Sequence, residues 1–326
     1  MQFIDLEKEG INKFEELKDT IDGKMDLSPV QANFIVYLLK KYNSKKILEL
    51  GVSAGGSSLL ILDTIKDFEN AHLYSIDYLN YWYKDKNKPV GFVVNEKAPN
   101  LLDNWTLYSG NFACEFIDQI CPDKAQDIDF CFIDTIHLRP GEILDFLMVL
   151  PYLKKNAVVV FHDISLHTFG EEFATSDANC ILYSAIKGEK ILPLNDCSRF
   201  PNMGAIILDD DIRERIFDVF NALLLRWYYI LEKEEYLLIL KHFEKHYEEE
   251  LIDIYKKAYE YNNMLVTSLL QNNKLTNKDI SKMFLFMLLS KVCIGKKKKH
   301  YIEKLNSYKQ KRWIKTLDLM SKELII

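Results

Sequence analysis

A glycine-rich turn with an acidic residue downstream is the strongest chemical signal in the sequence. Gly51, Gly55 and Gly56 follow a short apolar run typical of a β-strand, and Asp77 ends the next such run. Glycines after a strand let a ligand approach the backbone, and an acid at the next strand end can hydrogen-bond both hydroxyls of a ribose. A dinucleotide site would use Gly-x-Gly-x-x-Gly, whereas Ser53 stands third here. The turn therefore favours S-adenosylmethionine (SAM) over NAD.

Polar residues also end two later apolar runs. Asp134 follows the first of them, and His162 and Asp163 follow the second. Adjacent parallel strands lie about 4.8 Å apart, so these groups can share one cation such as Mg²⁺ or Mn²⁺. His137, three residues after Asp134, can serve as a base that accepts a proton. The alternative is that both histidines only hydrogen-bond and orient the acids.

The elements that must position these residues are short apolar runs separated by helical patterns. Candidate strands are 47–50, 73–76, 106–108, 128–133, 157–161 and 205–208. Several are apolar throughout, which indicates burial on both faces of a mostly parallel sheet with helices on each side. The sequence predicts a doubly wound α/β fold.

Helical patterns flank this region on both sides. We predict an N-terminal helical segment over 1–45, a SAM-binding catalytic domain over 46–208 and an all-helical segment over 209–326. Ser28-Pro29 is expected to begin the second N-terminal helix, and another helix is expected over 278–292. Aromatic stripes such as Trp227 and Phe243 predict packing or a homo-oligomer surface.

Two stretches carry a resemblance to a known family. Glu49-x-Gly51-x-x-x-Gly55-x-Ser57 and Tyr74-Ser75-Ile76-Asp77 resemble the first two motifs of class I SAM-dependent methyltransferases. The segments 132–137 and 159–163 resemble a subgroup of metal-dependent O-methyltransferases that act on sugars of natural products. Relatives in that subgroup are encoded with bacterial surface-polysaccharide genes. The resemblance covers about 45–208 and implies a seven-stranded Rossmann-like sheet.

The resemblance assigns roles residue by residue. The residues expected to bind the cofactor are Glu49, Gly51, Ser53, Gly55, Ser57, Asp77, Tyr78, Asn111 and Asp134. Asp134, His162 and Asp163 are expected to hold the metal, and His137 and Asp134 to be catalytic. The chain departs from the pattern where Asn111 replaces an acid and where Thr135-Ile136 replaces Gly-Asp. Weaker candidates for contact with a ligand are Tyr81, Trp82, Tyr83, His167, Glu171, Glu172, Arg199 and Asn202.

The implied function is O-methylation of a sugar, nucleotide-sugar or related small polar acceptor, with SAM and a divalent metal. The alternatives are methylation of a phosphate-type group, other chemistry on the same scaffold, or a non-catalytic SAM-binding scaffold.

Composition narrows the class of protein further. No apolar run approaches the length of a membrane span, and the start lacks the layout of a signal peptide, so we expect a cytoplasmic location. The six cysteines form no C-x-x-C pair, which argues against a structural zinc site. From Met264 onward 14 basic residues stand against 4 acidic ones. A solvated face is the preferred interpretation over docking on anionic lipid, and nucleic acid is not expected.

Overall fold

The computed structural model describes residues 1–196, 201–209, 211–213 and 216–272, with side chains up to Leu265 except that of Glu172. Met1–Glu260 forms one compact unit, and a second begins at Tyr261. The predicted helix over 278–292, most of the basic segment and Arg199 lie outside the described residues. The division into three segments stays a prediction.

Ten strands lie within the described residues. They are β1 (Gln2–Ile4), β2 (Lys46–Leu50), β3 (His72–Asp77), β4 (Tyr81–Trp82), β5 (Asp85–Pro89), β6 (Trp105–Ser109), β7 (Ile128–Ile133), β8 (Leu153–His162), β9 (Gly188–Pro193) and β10 (Met203–Leu208).

The α-helices of the same residues are α1 (Lys13–Ile21), α2 (Pro29–Tyr42), α3 (Gly56–Ile65), α4 (Phe92–Lys97), α5 (Ala113–Ile120), α6 (Gly141–Val149), α7 (Ala178–Ala185), α8 (Phe217–Ala222), α9 (Lys233–Phe243) and α10 (Glu249–Asn272). Ser28 and Gln31 form a capping box at the start of α2, which confirms the predicted helix start.

The main sheet has the strand order β1-β9-β10-β8-β7-β2-β3-β6. The strands from β8 to β6 run parallel, and β10 runs antiparallel to both β8 and β9. The mostly parallel α/β sheet is confirmed, and each of the six predicted strands is present. Strand order reverses between β7 and β2, and ligands of open α/β sheets bind at such a point.

The seven-stranded expectation is wrong, because the main sheet has eight strands. The prediction of a helical start over 1–45 is likewise wrong for Gln2–Ile4, which pair with β9 in parallel as strand β1. The apolar spacing of Phe3 and Leu6 fits a helix, but the partner strand lies nearly 190 residues away in sequence. A short window of sequence cannot contain that pairing.

Apolar side chains fill both faces of the sheet. One buried cluster includes Phe34 of α2 and Leu60 of α3, and the other includes Leu147 of α6. Phe243 of α9 and Tyr255 of α10 belong to the second cluster, so the helices after the sheet pack on the face that carries α5 and α6. No helix among the described residues is long and apolar enough to cross a membrane.

Candidate active site

A cavity of about 770 Å³ opens at the carboxyl ends of β2, β3, β7 and β8. Ten of the predicted site residues line it: Gly51, Ser53, Ser57, Asp77, Tyr78, Asn111, Asp134, His137, His162 and Asp163. The residues predicted to bind the methyl donor and the metal therefore meet in one space, as expected at the point where the strand order reverses. Glu49 and Gly55 do not line the cavity.

Asp77 holds the glycine turn in place. Its Oδ2 accepts hydrogen bonds of 2.9 Å from the backbone N–H groups of Val52 and Ser53, and its Oδ1 accepts one from Leu79. Burial raises the pKa of Asp77, although these backbone bonds oppose the shift. The carboxylate thus orders the loop that would cradle a ligand, and its contact with a ribose stays a prediction.

Glu49 lies in β2, just before the turn, and hydrogen-bonds to residues on the helix that follows the turn. Its side chain is fully buried and accepts hydrogen bonds from the hydroxyls of Ser57, Ser58 and Ser75 at 2.6, 2.6 and 2.7 Å. Burial raises the pKa of Glu49 to about 7 despite those three bonds. Glu49 ties β2 to the start of α3, and its role in cofactor binding stays a prediction.

The raised pKa of Glu49 gives a testable dependence of stability on pH. The folded state holds this proton more tightly than the unfolded state, so the free energy of unfolding falls as pH rises from about 4.5 through 7. Glu49→Gln removes the titration. We expect the variant to gain up to roughly 3 kcal/mol relative to the wild type at pH 8 and nothing comparable at pH 4.

Urea unfolding of both proteins across this pH range measures the effect. Glu69→Gln, at an exposed site, is the matched control and should follow the wild-type curve. Parallel curves for Glu49→Gln and the wild type would contradict a buried carboxyl that titrates near neutrality.

Asp134, His162 and Asp163 form a compact cluster beside the turn. Their ligand atoms all lie within 4.8 Å of one another, and His162 Nδ1 is 3.0 Å from Asp134 Oδ1 and 3.4 Å from Asp163 Oδ2. Burial works against both charges, but the ion pair raises the pKa of His162 and lowers that of Asp134. Two carboxylates and one imidazole are a donor set that suits Mg²⁺ or Mn²⁺.

Two asparagines donate hydrogen bonds to residues of this cluster. Asn202 Nδ2 donates to Asp163 Oδ1 at 2.6 Å, and Asn179 Nδ2 donates to the backbone oxygen of His162 at 2.7 Å. Both asparagines are buried. Partners of this kind orient the groups that bind a metal. Asn202, a weaker candidate for ligand contact, therefore supports Asp163.

His137 lies between two sets of acids. Its Nε2 is 3.2 Å from Asp163 Oδ2, its Nδ1 is 3.1 Å from Glu142 Oε1, and its backbone N–H donates to the same Glu142 oxygen. Burial lowers the pKa of His137, but Glu142, Asp134 and Asp163 together raise it to about 10. A protonated imidazole cannot accept a proton, so the predicted role of base depends on what neutralises these acids.

Two acids of helix α6 at this site were not predicted from the sequence. Glu142 is fully buried against His137, and Asp145 lines the cavity and accepts a hydrogen bond of 2.7 Å from the hydroxyl of Thr135. Burial raises the pKa of Asp145 to about 7, although the bond from Thr135 opposes the shift. One signal in the sequence could have indicated that both acids lie near the site. They fall in the first turns of the helix after Pro140, only a few residues beyond Asp134.

Aromatic side chains also line the cavity. The Tyr78 ring packs against Phe112 at 4.9 Å between centroids, and Tyr81 and Tyr83 also line the wall. Tyr83 donates to Asp26 Oδ2 at 2.9 Å, which links the β4–β5 hairpin to the loop before α2. Trp82, His167 and Glu171 do not line the cavity.

The helical segment after the sheet also reaches the cavity. Tyr229, Ile230 and Glu235 contribute to its wall, and Tyr78 donates a hydrogen bond of 2.6 Å to Glu235 Oε1. Among the described residues, the Tyr229 hydroxyl has no hydrogen-bond partner. None of these three residues was predicted from the sequence, because nothing in their spacing indicates contact with a site built by β2 and β3.

Comparison with protein families gives one match at this site. Residues 48–164 match the family model described as a methyltransferase domain. The matched range contains the glycine turn, Asp77 and the cluster of Asp134, His162 and Asp163. A search of curated proteins gives no match.

Solved structures of methyltransferases are similar to this chain. An O-methyltransferase of Bacillus cereus in complex with S-adenosylhomocysteine (SAH) has 16% identity and a TM-score of 0.43, covering 60% of this chain and 90% of its own. An O-methyltransferase of Streptomyces achromogenes involved in tomaymycin synthesis has 15% identity and a TM-score of 0.42, with coverages of 63% and 90%. A methyltransferase of Podospora anserina has 13% identity and a TM-score of 0.43, with coverages of 61% and 88%.

Proposed function

We propose that this protein is a SAM-dependent O-methyltransferase that methylates a hydroxyl of a sugar or related small polar acceptor with the help of a divalent cation. The observation that carries the proposal is that the glycine turn, ordered by Asp77, opens into the same cavity as the cluster of Asp134, His162 and Asp163. The match of 48–164 to a methyltransferase domain supports the same reaction class.

The donor half of the proposal rests on the turn. Gly51 and Ser53 bring the backbone of the turn to the cavity, and Ser57 lies in the first turn of α3, where a helix N-terminus favours a carboxylate such as that of the methionyl group. Asp77 and Asn111 lie on the wall where the ribose and adenine would bind. Tyr78 and Phe112 offer aromatic faces to the base.

Asp134, His162 and Asp163 would hold the cation. A bound divalent cation lowers the pKa of a hydroxyl that coordinates it, which makes a sugar hydroxyl a better nucleophile. The chain must in addition align this hydroxyl with the methyl group at about 3–3.5 Å. The sulfonium already makes the methyl group electrophilic, so alignment and proton removal are the main tasks of the protein.

Two side chains that line the cavity, His137 and Asp145, can contact the acceptor. We propose that His137 takes the proton of the acceptor hydroxyl. Although burial lowers the pKa of His137, Glu142 raises it most, and Asp134 and Asp163 raise it further, to about 10. The proposed role requires this pKa to fall, and a cation at the cluster acts in that direction because it neutralises Asp134 and Asp163 and repels a protonated imidazole. Asp145 is proposed to accept a hydrogen bond from a neighbouring hydroxyl of the acceptor. His137→Ala should therefore abolish methyl transfer, whereas Asp145→Asn should chiefly raise KM.

The charge of the cavity favours an uncharged acceptor. Six of the described lining residues are carboxylic acids, namely Asp26, Asp77, Asp134, Asp145, Asp163 and Glu235. Lys24 and two histidines are the basic groups among the same lining residues. A cation bound by Asp134 and Asp163 neutralises those two acids, but Asp26, Asp77, Asp145 and Glu235 still outnumber Lys24. An acidic wall repels a phosphate, so we favour a glycoside over a nucleotide-sugar or a phosphate-type acceptor.

Calorimetric titration with SAM, SAH and NAD tests the donor, and transfer of a labelled methyl group from SAM to a panel of methyl glycosides tests the acceptor. We expect SAM and SAH to bind and NAD not to bind, and transfer to stop on exhaustive chelation. Binding of NAD in place of SAM would contradict the proposal, and full transfer after chelation would remove the cation from it.

A further inference from the structure

We propose that the helical segment after the sheet takes part in donor binding, with Glu235 acting as a positioning residue for the Tyr78 ring. The inference rests on the proposed function, because it assigns a role at the same donor site. It gives that segment a task beyond packing.

The contact itself joins distant parts of the chain. Tyr78 directly follows β3, and Glu235 lies in the first turn of α9, 157 residues later. The Tyr78 hydroxyl donates a hydrogen bond of 2.6 Å to Glu235 Oε1, and this length is typical of a hydrogen bond from a hydroxyl to a carboxylate. Both residues line the cavity, and Tyr78 is 51% exposed, which places the bond at the cavity mouth.

Two contacts fix the orientation of the Tyr78 ring. Phe112 packs against the ring at 4.9 Å between centroids, while Glu235 holds the hydroxyl. Only two side-chain torsions, each limited to a few preferred values, place a tyrosine ring, so an anchored hydroxyl and a packed ring leave it one orientation. The ring lies on the wall shared with Asp77 and Asn111, where the adenosyl group would bind. An aromatic face held in place before binding lowers the entropy cost of binding.

Glu235 is itself held by its own helix. Its Oε2 accepts the backbone N–H of Glu232 at 2.8 Å, as half of a capping box at the start of α9. Further along α9, Ile239 and Phe243 are fully buried against the layer that contains α6. The carboxylate that receives the Tyr78 hydroxyl is therefore fixed by a helix packed on the sheet domain.

The test is a double-mutant cycle on SAH. The variants are Tyr78→Phe, Glu235→Ala and the two combined, with the dissociation rate of SAH measured by stopped flow and its Kd by calorimetry. We expect each single change to raise the dissociation rate about three- to tenfold, and the double change to raise it no further than the larger single change. Glu232→Ala is the matched control, because it removes only the half of the capping box made by the Glu232 side chain, and it keeps both the bond from Tyr78 and the backbone N–H that holds Glu235 Oε2. It should release SAH at the wild-type rate.

Each other result overturns the inference. Unchanged dissociation in both single variants, additive effects in the double variant, or an equal effect of Glu232→Ala would show that Glu235 does not position Tyr78. Thermal melting of every variant identifies any loss that comes from unfolding. Failure of the wild-type protein to bind SAH defeats the proposed function itself, and that result is seen before any variant is compared.

Discussion

Gly51→Ala is expected to lose SAH binding by at least about 100-fold and to be destabilised by several kcal/mol. Gly51 has a φ of +89°, and a Cβ placed on it would lie 1.9 Å from the backbone oxygen of Asp134. That oxygen belongs to the backbone just beyond the end of β7. The clash is therefore removed only if the glycine turn moves or the strand end that carries Asp134 moves. One methyl group would thus disturb both halves of the site. Calorimetry with SAH and urea unfolding measure the two effects.

Gly10→Ala is the control for the backbone conformation. Gly10 also has a positive φ, +67°, but nothing lies within 4 Å of an added Cβ. This variant should lose about 1 kcal/mol of stability and bind SAH like the wild type. If Gly51→Ala behaved in the same way, the close approach of the turn to β7 would have no importance for the proposed donor site.

Asp134→Asn is expected to weaken Mn²⁺ binding by roughly 100-fold or more and to abolish methyl transfer. The change keeps the size of the side chain but removes the charge that pairs with His162 at 3.0 Å. Asp163→Asn should have a similar effect on Mn²⁺ affinity, because it removes the second carboxylate of the cluster. Electron paramagnetic resonance of Mn²⁺ measures the loss directly, without an acceptor.

Asp67→Asn, at an exposed position distant in sequence from the cluster, should bind Mn²⁺ like the wild type. Mn²⁺ affinity unchanged by both Asp134→Asn and Asp163→Asn would show that the two acids form a buried ion-pair network with His162 and His137 and hold no cation. Buried charges of this kind need partners whether or not a metal binds.

The sequence predicted those parts of the site that follow from strand ends. Gly51, Asp77, Asp134 and Asp163 each lie at or just beyond the carboxyl end of a parallel strand, and one sheet edge brings these ends together. The apolar runs of β2, β3, β7 and β8 were readable because burial on both faces leaves few polar residues in them. Fold class and the core of the site therefore followed from local patterns.

Glu49 shows why a motif position does not fix a side chain's direction. It alternates with Leu48 and Leu50 along β2, so it points to the face covered by α3, where the hydroxyls of Ser57 and Ser58 bind it. Ser58 and Ser75 donate hydrogen bonds to Glu49. Their presence near it was the one signal of its direction, because a buried acid needs hydrogen-bond partners.

Glu235 and Tyr229 could not be predicted from local sequence. Their neighbours repeat with helical spacing and predict only an amphipathic helix, whereas their place at the cavity depends on how α8 and α9 pack on the sheet. Strand β1 was missed for a related reason. Pairing between segments this far apart is specified by tertiary packing rather than by local propensity.

Strand β1 has a practical consequence for self-association. It covers the outer edge of β9 through the pairs Gln2 with Ile191 and Ile4 with Pro193, and the Ile4 oxygen accepts the backbone N–H of Leu194 at 2.8 Å. β1 is itself the edge strand but has only three residues, whereas β9 has six, so loss of β1 exposes a longer edge with open backbone donors and acceptors that can template sheet growth between molecules. Deleting residues 2–5 should therefore increase association in sedimentation experiments, so an N-terminal fusion partner needs a spacer that leaves β1 free to pair.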